Sequence, residues 1–561
     1  MQTANSKATI VSPGAMPFLK NGSSELSDMN FVPRLWSKDA ALWKTDEAHR
    51  KIINNSLGWL DLPVSMAAKT AEVTAFAQEA RREFTDCVVM GMGGSSLAPE
   101  VMARLFPKKE GWPKLHVIDS TDPGWILRTA ASINMPKTLF IFSSKSGGTV
   151  EPNSFFKYFY GEVEKISSNP SAQFIAITDP GTSLEKFAKG LNFRKIFQNP
   201  PDVGGRFSAL SLFGLVPAAL AGLDIKLILE RAAQAAQMCR NADIAANPGV
   251  ALGAIMGACA NQGKDKMTLL CPAQFYTFGL WVEQLVAEST GKEGKGIVPI
   301  AGEEASEKYG NDRLFVHLKT AFAPDAATER LARELEDKGL PVFTMEMSDI
   351  HDLGAQYLIW EVATAAAGAV MRINPFDQPN VQEAKTMAQN ALKELSSKKD
   401  APANPEITFT LSHAACEKLC GVQLTPDNFL PQFAALAKTG DYCGLLAYLD
   451  GNAATDVLLR KLRTALLKTT KAATLFGYGP RYLHSTGQLH KGGAANGIYV
   501  VLTAAPAKDA PIPSADYTFA QLEYAQASGD FKALDAKDRR AVWIHLGKNP
   551  AAVLGEVLAG H

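Results

Sequence analysis

Short apolar runs recur along the chain, each followed by a polar, glycine-bearing turn and then by apolar residues at helical spacing. Cys87–Met90, Leu115–Ile118, Thr138–Phe142 and Gln173–Ile177 predict buried strands. With helical stretches between them, they give the βαβ rhythm of a parallel sheet covered on both faces. A second set, Lys266–Leu270, Leu314–Leu318 and Pro341–Met345, predicts a second such unit. Upstream, an irregular arm leads into helices expected over Ala40–Gly58 and Ser65–Phe84, separated by the turn Gly58-Trp-Leu-Asp-Leu-Pro63. Residues 396–406, rich in proline and charge, read as a linker. Beyond it helices are expected to about residue 470, then strands at Ala473–Gly477, Ile498–Thr503 and Ala541–Leu546. The expected organisation is 1–84 as arm and helices, 85–235 and 245–395 as two α/β domains, and 396–561 as a C-terminal extension.

Composition narrows the function classes. Lys plus Arg equals Asp plus Glu at 57 each in 561 residues, so no net field recruits nucleic acid or an anionic membrane. Met1–Leu19 holds no apolar signal region, and the apolar run Leu210–Leu223 is too short to span a bilayer and carries a proline, so a cytoplasmic protein with no membrane partner is expected. The seven cysteines are scattered with no CxxC pair and read as reduced thiols. His413, Cys416 and Cys420 share helical spacing, which buried cysteines on an apolar stripe explain more simply than a metal site. No metal or cofactor is expected.

The polar turns carry the candidate chemistry. In Ile141-Phe-Ser-Ser-Lys-Ser-Gly-Gly-Thr-Val-Glu-Pro152 a strand gives way to hydroxyls, a lysine and two glycines before a helix. Free backbone N–H groups at such a helix start hold a phosphate. Gly91-x-Gly93-x-x-Ser96, with Asp119 after the next strand, approximates a dinucleotide fingerprint. Its third glycine is a serine, however, and a second phosphate loop in the same sheet points to one phosphorylated ligand at a topological switch point. Arg206 follows a Gly-Gly turn and suits developing negative charge. Gln284 and Glu288 lie one turn apart, and Glu288 sits at the negative end of its helix dipole, a setting that suits a general base near neutrality. Gln378 and Lys385 are two turns apart on the helix that Pro379 opens, and His484 and Gln488 form a third polar cluster.

Taken together, Gly91-Met-Gly-Gly-Ser95, Ser144-Lys-Ser-Gly-Gly-Thr149, Asp202-Val-Gly-Gly-Arg-Phe-Ser208, Glu288-Ser-Thr-Gly-Lys292 and Asn374-Pro-Phe-Asp-Gln-Pro379 with Lys385 resemble, in order, the motifs of the glucose-6-phosphate isomerase family. The resemblance implies an α/β fold of two doubly wound parallel-sheet sugar-isomerase (SIS) domains, here with an N-terminal helical arm and a C-terminal α/β extension. It implies interconversion of glucose 6-phosphate and fructose 6-phosphate through a cis-enediol, without metal or nucleotide. By the same resemblance Gly94, Ser95, Ser144, Lys145, Ser146, Thr149 and Gln378 would bind the sugar phosphate. Arg206 would stabilise the enediolate, Glu288 would move the proton between C2 and C1, and Lys385 with a histidine would open the ring.

Two departures are visible. Where the family's histidine loop is expected the chain reads Glu307-Lys-Tyr-Gly-Asn-Asp-Arg313, and a similar His484-Ser-Thr-Gly-Gln488 stands much later, an arrangement that resembles the isomerase half of bifunctional transaldolase/glucose-6-phosphate isomerase chains. Ala301-Gly-Glu-Glu304 resembles the stretch in which some branches carry their catalytic glutamate, so Glu303 competes with Glu288 as the base. A homodimer is implied, and His484 could serve its own or the partner chain. Another phosphosugar isomerase, such as one accepting mannose 6-phosphate, and a non-catalytic sugar-phosphate-binding regulator are the alternatives.

Overall fold

A computed structural model describes residues 9–306, 308–380, 386–388, 390–392 and 403–560. Strand β1 (Ile10–Val11) is followed by the helices Met16–Asp28, Phe31–Trp36, Glu47–Asn54 and Thr70–Ala80. The first sheet then forms from β2 (Asp86–Met90), β3 (Lys114–Ile118), β4 (Thr138–Ser143), β5 (Phe174–Thr178) and β6 (Lys195–Gln198), all parallel, in the order β3-β2-β4-β5-β6. β2, β4 and β5 are buried along their whole lengths, which is why they read as unbroken apolar runs. The order reverses around β2, so the loops leaving β2 and β4 diverge and open a crevice at the strand C-termini.

The second sheet contains β7 (Lys266–Leu270), β8 (Val298–Ala301), β9 (Arg313–Thr320) and β10 (Val342–Met347), parallel in the order β8-β7-β9-β10. Its far edge is completed by β1, antiparallel to β10. The arm expected to be irregular therefore begins inside this sheet. Its helix Met16–Asp28 packs on the helix Pro248–Asn261. That helix in turn lies along Leu353–Val370, and both are buried almost all round and mostly apolar, as befits helices with little solvent face. Gly253 makes their approach possible, since a Cβ there would meet the Ala363 carbonyl oxygen at 2.4 Å. One apolar core spans this helical layer and one face of each of the first two sheets.

A third sheet follows: β11 (Ile407–Leu411), β12 (Tyr442–Tyr448), β13 (Ala473–Tyr478), β14 (Gly497–Thr503) and β15 (Arg540–Leu546), in the order β11-β15-β14-β12-β13. All pairs are parallel except β11 with β15. The stretch expected to be helical up to 470 thus holds an edge strand and the fully buried β12. Cys416 and Cys420 are exposed rather than buried, and Cys420 lies beyond the helix His413–Lys418. One face of the third sheet has its own core, and the other packs over Ala287, Val298 and Ile300 of the second unit. Among the described residues no helix is long and apolar enough to cross a membrane.

Candidate active site

A cavity of about 1740 Å³ opens at the switch point of the first sheet. Its wall is drawn from the turn at Met92–Gly94, from Lys145, from Gly204–Arg206, from Gln284 and Glu288, from Phe376–Pro379, from His484 and from the helix Glu47–Asn54. The glycines of the first turn are required by close approach. Gly93 has φ +56°, and a Cβ on it would meet Gln284 Nε2 and the His484 carbonyl oxygen, both at 2.8 Å; a Cβ on Gly94 would meet the Gly205 oxygen at 1.8 Å.

Arg206 is the fixed point. Its Nε donates to Ser289 Oγ (2.7 Å), Nη1 to Gln378 Oε1 (3.0 Å), and Nη2 to the carbonyls of Pro375 (2.7 Å) and Asp377 (3.1 Å). Nη1 also stands 3.4 Å from Glu288 Oε1. Burial pushes the guanidinium pKa down, while Glu288 and Asp377 oppose the shift, and an arginine so paired remains a cation. The turn Asn374–Pro379 that supplies these acceptors is held from below. Lys292 Nζ reaches Asp377 Oδ1 at 2.7 Å, and Asn374 Nδ2 donates to Asp377 Oδ2 at 3.1 Å. Burial, reinforced by Arg206, pulls the Lys292 pKa down to about 8, with Asp377 acting against it.

The helix Tyr276–Thr290 ends at Gly291 and aims Gln284 and Glu288 at the cavity from consecutive turns. Gln284 Nε2 donates to the His484 carbonyl oxygen (2.8 Å) and to Glu288 Oε2 (3.3 Å). Glu288 is therefore held between Arg206 on one oxygen and Gln284 on the other. His484 comes from the connection between β13 and β14. Its Nε2 lies 3.0 Å from Glu151 Oε1, which also accepts from Gln526 Nε2 at 2.8 Å. With Nε2 donating to that carboxylate, the neutral ring keeps Nδ1 as its basic nitrogen, and among the described residues no hydrogen bond engages it. The loop after His484 is tied to the end of the glutamate's helix, because Gln488 Nε2 donates to the Gly291 oxygen at 2.9 Å.

Other sequence candidates take different places. Lys145 lines the cavity but is shared with Asp179 (3.0 Å), and it donates to the carbonyls of Pro201 (2.8 Å) and Val203 (2.7 Å), which ties the β4 loop to the turn before Arg206. Ser144 Oγ and Ser146 Oγ accept from the N–H groups of Gly147 and Gly148, and Thr149 is the N-cap residue of the helix Val150–Glu164. Ser95, Ser144, Ser146 and Thr149 are not among the lining residues. Glu303 is remote from the cavity in bonding terms: it pairs with the buried Arg313 (2.8 Å) and accepts from Thr474 N (2.6 Å). Asp119, considered as a ribose partner, instead pairs with Arg481 at 2.7 Å. Lys385 lies outside the described residues. Sequence reasoning left out Glu151, whose only signal was a carboxylate at the start of the phosphate-loop helix.

A family model described as phosphoglucose isomerase matches residues 66–310. A probable glucose-6-phosphate isomerase of Methanococcus maripaludis is 27% identical over 381 residues, covering 61% of this chain and 85% of that protein. A glucose-6-phosphate isomerase of Prochlorococcus marinus (strain NATL2A) is 30% identical over 351 residues, covering 55% of this chain and 67% of that protein. The crystal structure of a glucose-6-phosphate isomerase from Chlamydia trachomatis superposes with a TM-score of 0.55 at 16% identity, covering 68% of this chain and 87% of the other, a likeness of fold. With two thirds of the Prochlorococcus marinus relative matched at 30% identity, and the motifs from Gly91 to Lys292 inside the stretch that the family model matches, the chain belongs to the phosphoglucose isomerase family.

Proposed function

We propose that the protein interconverts glucose 6-phosphate and fructose 6-phosphate by general acid–base catalysis through a cis-enediol. The observation that carries the reading is the placement of Glu288 in the cavity wall, with Arg206 on one carboxylate oxygen and Gln284 on the other. An aldose–ketose shift needs one base that removes the acidified proton from C2 and returns it to C1. It also needs a cation beside the oxygens that gain charge as the enediolate forms. Glu288 is the base and Arg206 the cation. The arginine is already bonded to four partners, so it stabilises that charge without having to reorganise.

Ring opening moves a proton from the anomeric hydroxyl to the ring oxygen. His484 takes the first role through Nδ1, and Glu151 stabilises the imidazolium that results. Lys385, by family resemblance, assists at the ring oxygen. Gly94 and Lys145, which line the cavity, anchor the phosphate and so fix C1 and C2 against Glu288; by family resemblance Ser95, Ser144, Ser146 and Thr149, which stand outside the wall, complete the cradle once the sugar phosphate is bound. A cytoplasmic setting accords with seven free cysteines. Association into a homodimer is what the family resemblance implies. Purified protein assayed with glucose 6-phosphate and with mannose 6-phosphate tests the reading. Turnover of the first to fructose 6-phosphate is expected, and binding of both without turnover would contradict it.

A further inference from the structure

The second and third sheets share one plan. Taking the parallel strands of each in chain order, both follow the spatial order second, first, third, fourth, β8-β7-β9-β10 and β13-β12-β14-β15; the first sheet shares this order but adds a fifth parallel strand, β6, where the other two carry an antiparallel one. Each carries a fifth, antiparallel strand on the same edge, β1 on β10 and β11 on β15, although β1 is supplied by the N-terminal arm and β11 by the unit itself. Helices recur after the first, third and fourth strands: Tyr276–Thr290, Ala326–Asp337 and Leu353–Val370 in one unit, and Ala453–Thr470, Phe519–Asp535 and Pro550–Ala559 in the other. The two sheets also meet through the same edge, β8 against β13. Two copies related by a twofold axis make contact in this way, each using the patch the other uses. Here the seam is internal: Arg463 Nη1 donates to the Ala301 oxygen at 2.8 Å, and Val298 and Ile300 lie in the apolar core beneath the third sheet.

The proposed catalytic groups are divided between the two units. The helix after the first strand ends with Glu288 facing the cavity in the second unit; in the third, the position the same distance from the helix end is Lys468, which is exposed. The connection from second to third strand shows the reverse. In the third unit it carries His484 to the cavity. In the second it runs from Gly302 to Asp312, contains no histidine, and among the described residues contributes nothing to the cavity wall. The third unit is also clamped to the first sheet, since Arg481 bridges Glu100 and Asp119 at 2.7 Å each, three residues before His484.

We infer that residues 407–559 are a fused and diverged second copy of the unit spanning 248–370, seated where a partner chain's copy would otherwise sit. One copy has kept the glutamate and the other the histidine, so each chain closes one complete active site by itself and needs no second chain for turnover. The inference rests on the roles given to Glu288 and His484 above.

Complementation tests it. Glu288→Gln and His484→Gln chains, differently tagged, are co-expressed and the pooled protein is assayed beside each variant alone. The expected result is two nearly inactive variants and no recovery in the mixture. If the site instead drew its glutamate and histidine from different chains of a dimer, about a quarter of wild-type activity would return, from mixed dimers with one intact site of two. That recovery would overturn the inference and leave the reading of the two residues standing. Full activity in either single variant would overturn both. A measurement without variants runs beside it: wild-type specific activity is followed on dilution with the mass read by sedimentation. Constant activity in a species of single-chain mass supports the inference, and activity lost in step with dissociation refutes it.

Discussion

Replacing Glu151 by Gln separates the histidine's role from that of the glutamate base. The Glu151 side chain is 5% exposed, and its Oε1 accepts from both His484 Nε2 and Gln526 Nε2. An amide of the same shape keeps an acceptor oxygen for both donors but loses the charge. A hydrogen bond to a charged group contributes about 1.5–3 kcal/mol and a neutral one about 0.5–1.5 kcal/mol. The difference of roughly 1–2 kcal/mol falls on the imidazolium formed during ring opening, so kcat should drop about 5- to 30-fold. Because that charge exists only as the proton is taken, KM should change little. Initial rates from cyclic glucose 6-phosphate, with the fructose 6-phosphate formed trapped by an ATP-dependent kinase and the ADP released coupled to NADH oxidation, read both constants. A kcat within twofold of wild type, or a loss confined to KM, would refute the assignment of His484 to proton transfer.

Two further outcomes follow from the same geometry. Arg206→Lys keeps the charge but not the fork that spans Ser289, Gln378 and two carbonyls, so kcat/KM should fall on the order of 10²–10³; near-normal activity would show that a point charge suffices. Glu283 faces away from this chemistry, accepting from Ala301 N at 2.8 Å, and burial raises its pKa to about 8 against 4.5 when free, with Arg463 opposing. Its folded pKa lies above its unfolded one, so the stability it contributes is fully present below pH 4.5 and is lost as pH rises through about 8. Glu283→Gln should therefore gain on wild type in urea unfolding between pH 5 and pH 9, by on the order of a few kcal/mol, and an equal pH slope in the two proteins would contradict this.

The parts of the molecule legible in the sequence are those where local chemistry and position coincide. The turns at 91–95 and 144–149 each join glycines to the C-terminal end of a strand, and parallel strands deliver those loops to one side; at 204–208 and 288–292 glycines stand beside the arginine and the glutamate that face the same cavity. What was not legible depended on partners far along the chain. β12 is apolar throughout with no alternation, so its run Tyr442-Cys-Gly-Leu-Leu-Ala-Tyr448 is indistinguishable by period from a buried helix. β8 is four residues long and contains Pro299, and β1 is two residues long, both beneath any strand signal. Glu288 is the favoured base with Glu303 its competitor, and the partners that engage Glu303, Arg313 and Thr474, lie too far along the chain for any local pattern to reveal. Glu151 gained a role only through His484, a contact that no local pattern encodes.

The central claim is that Glu288 carries the proton between C2 and C1. Wild type and Glu288→Gln should each be incubated with fructose 6-phosphate in D2O and the deuterium at C1 of that sugar and C2 of glucose 6-phosphate followed by NMR. Solvent deuterium should enter with the wild type, and exchange should fall on the order of 10²–10⁴-fold in the variant while sugar-phosphate binding persists. Exchange at the wild-type rate in the Glu288→Gln protein would contradict the account.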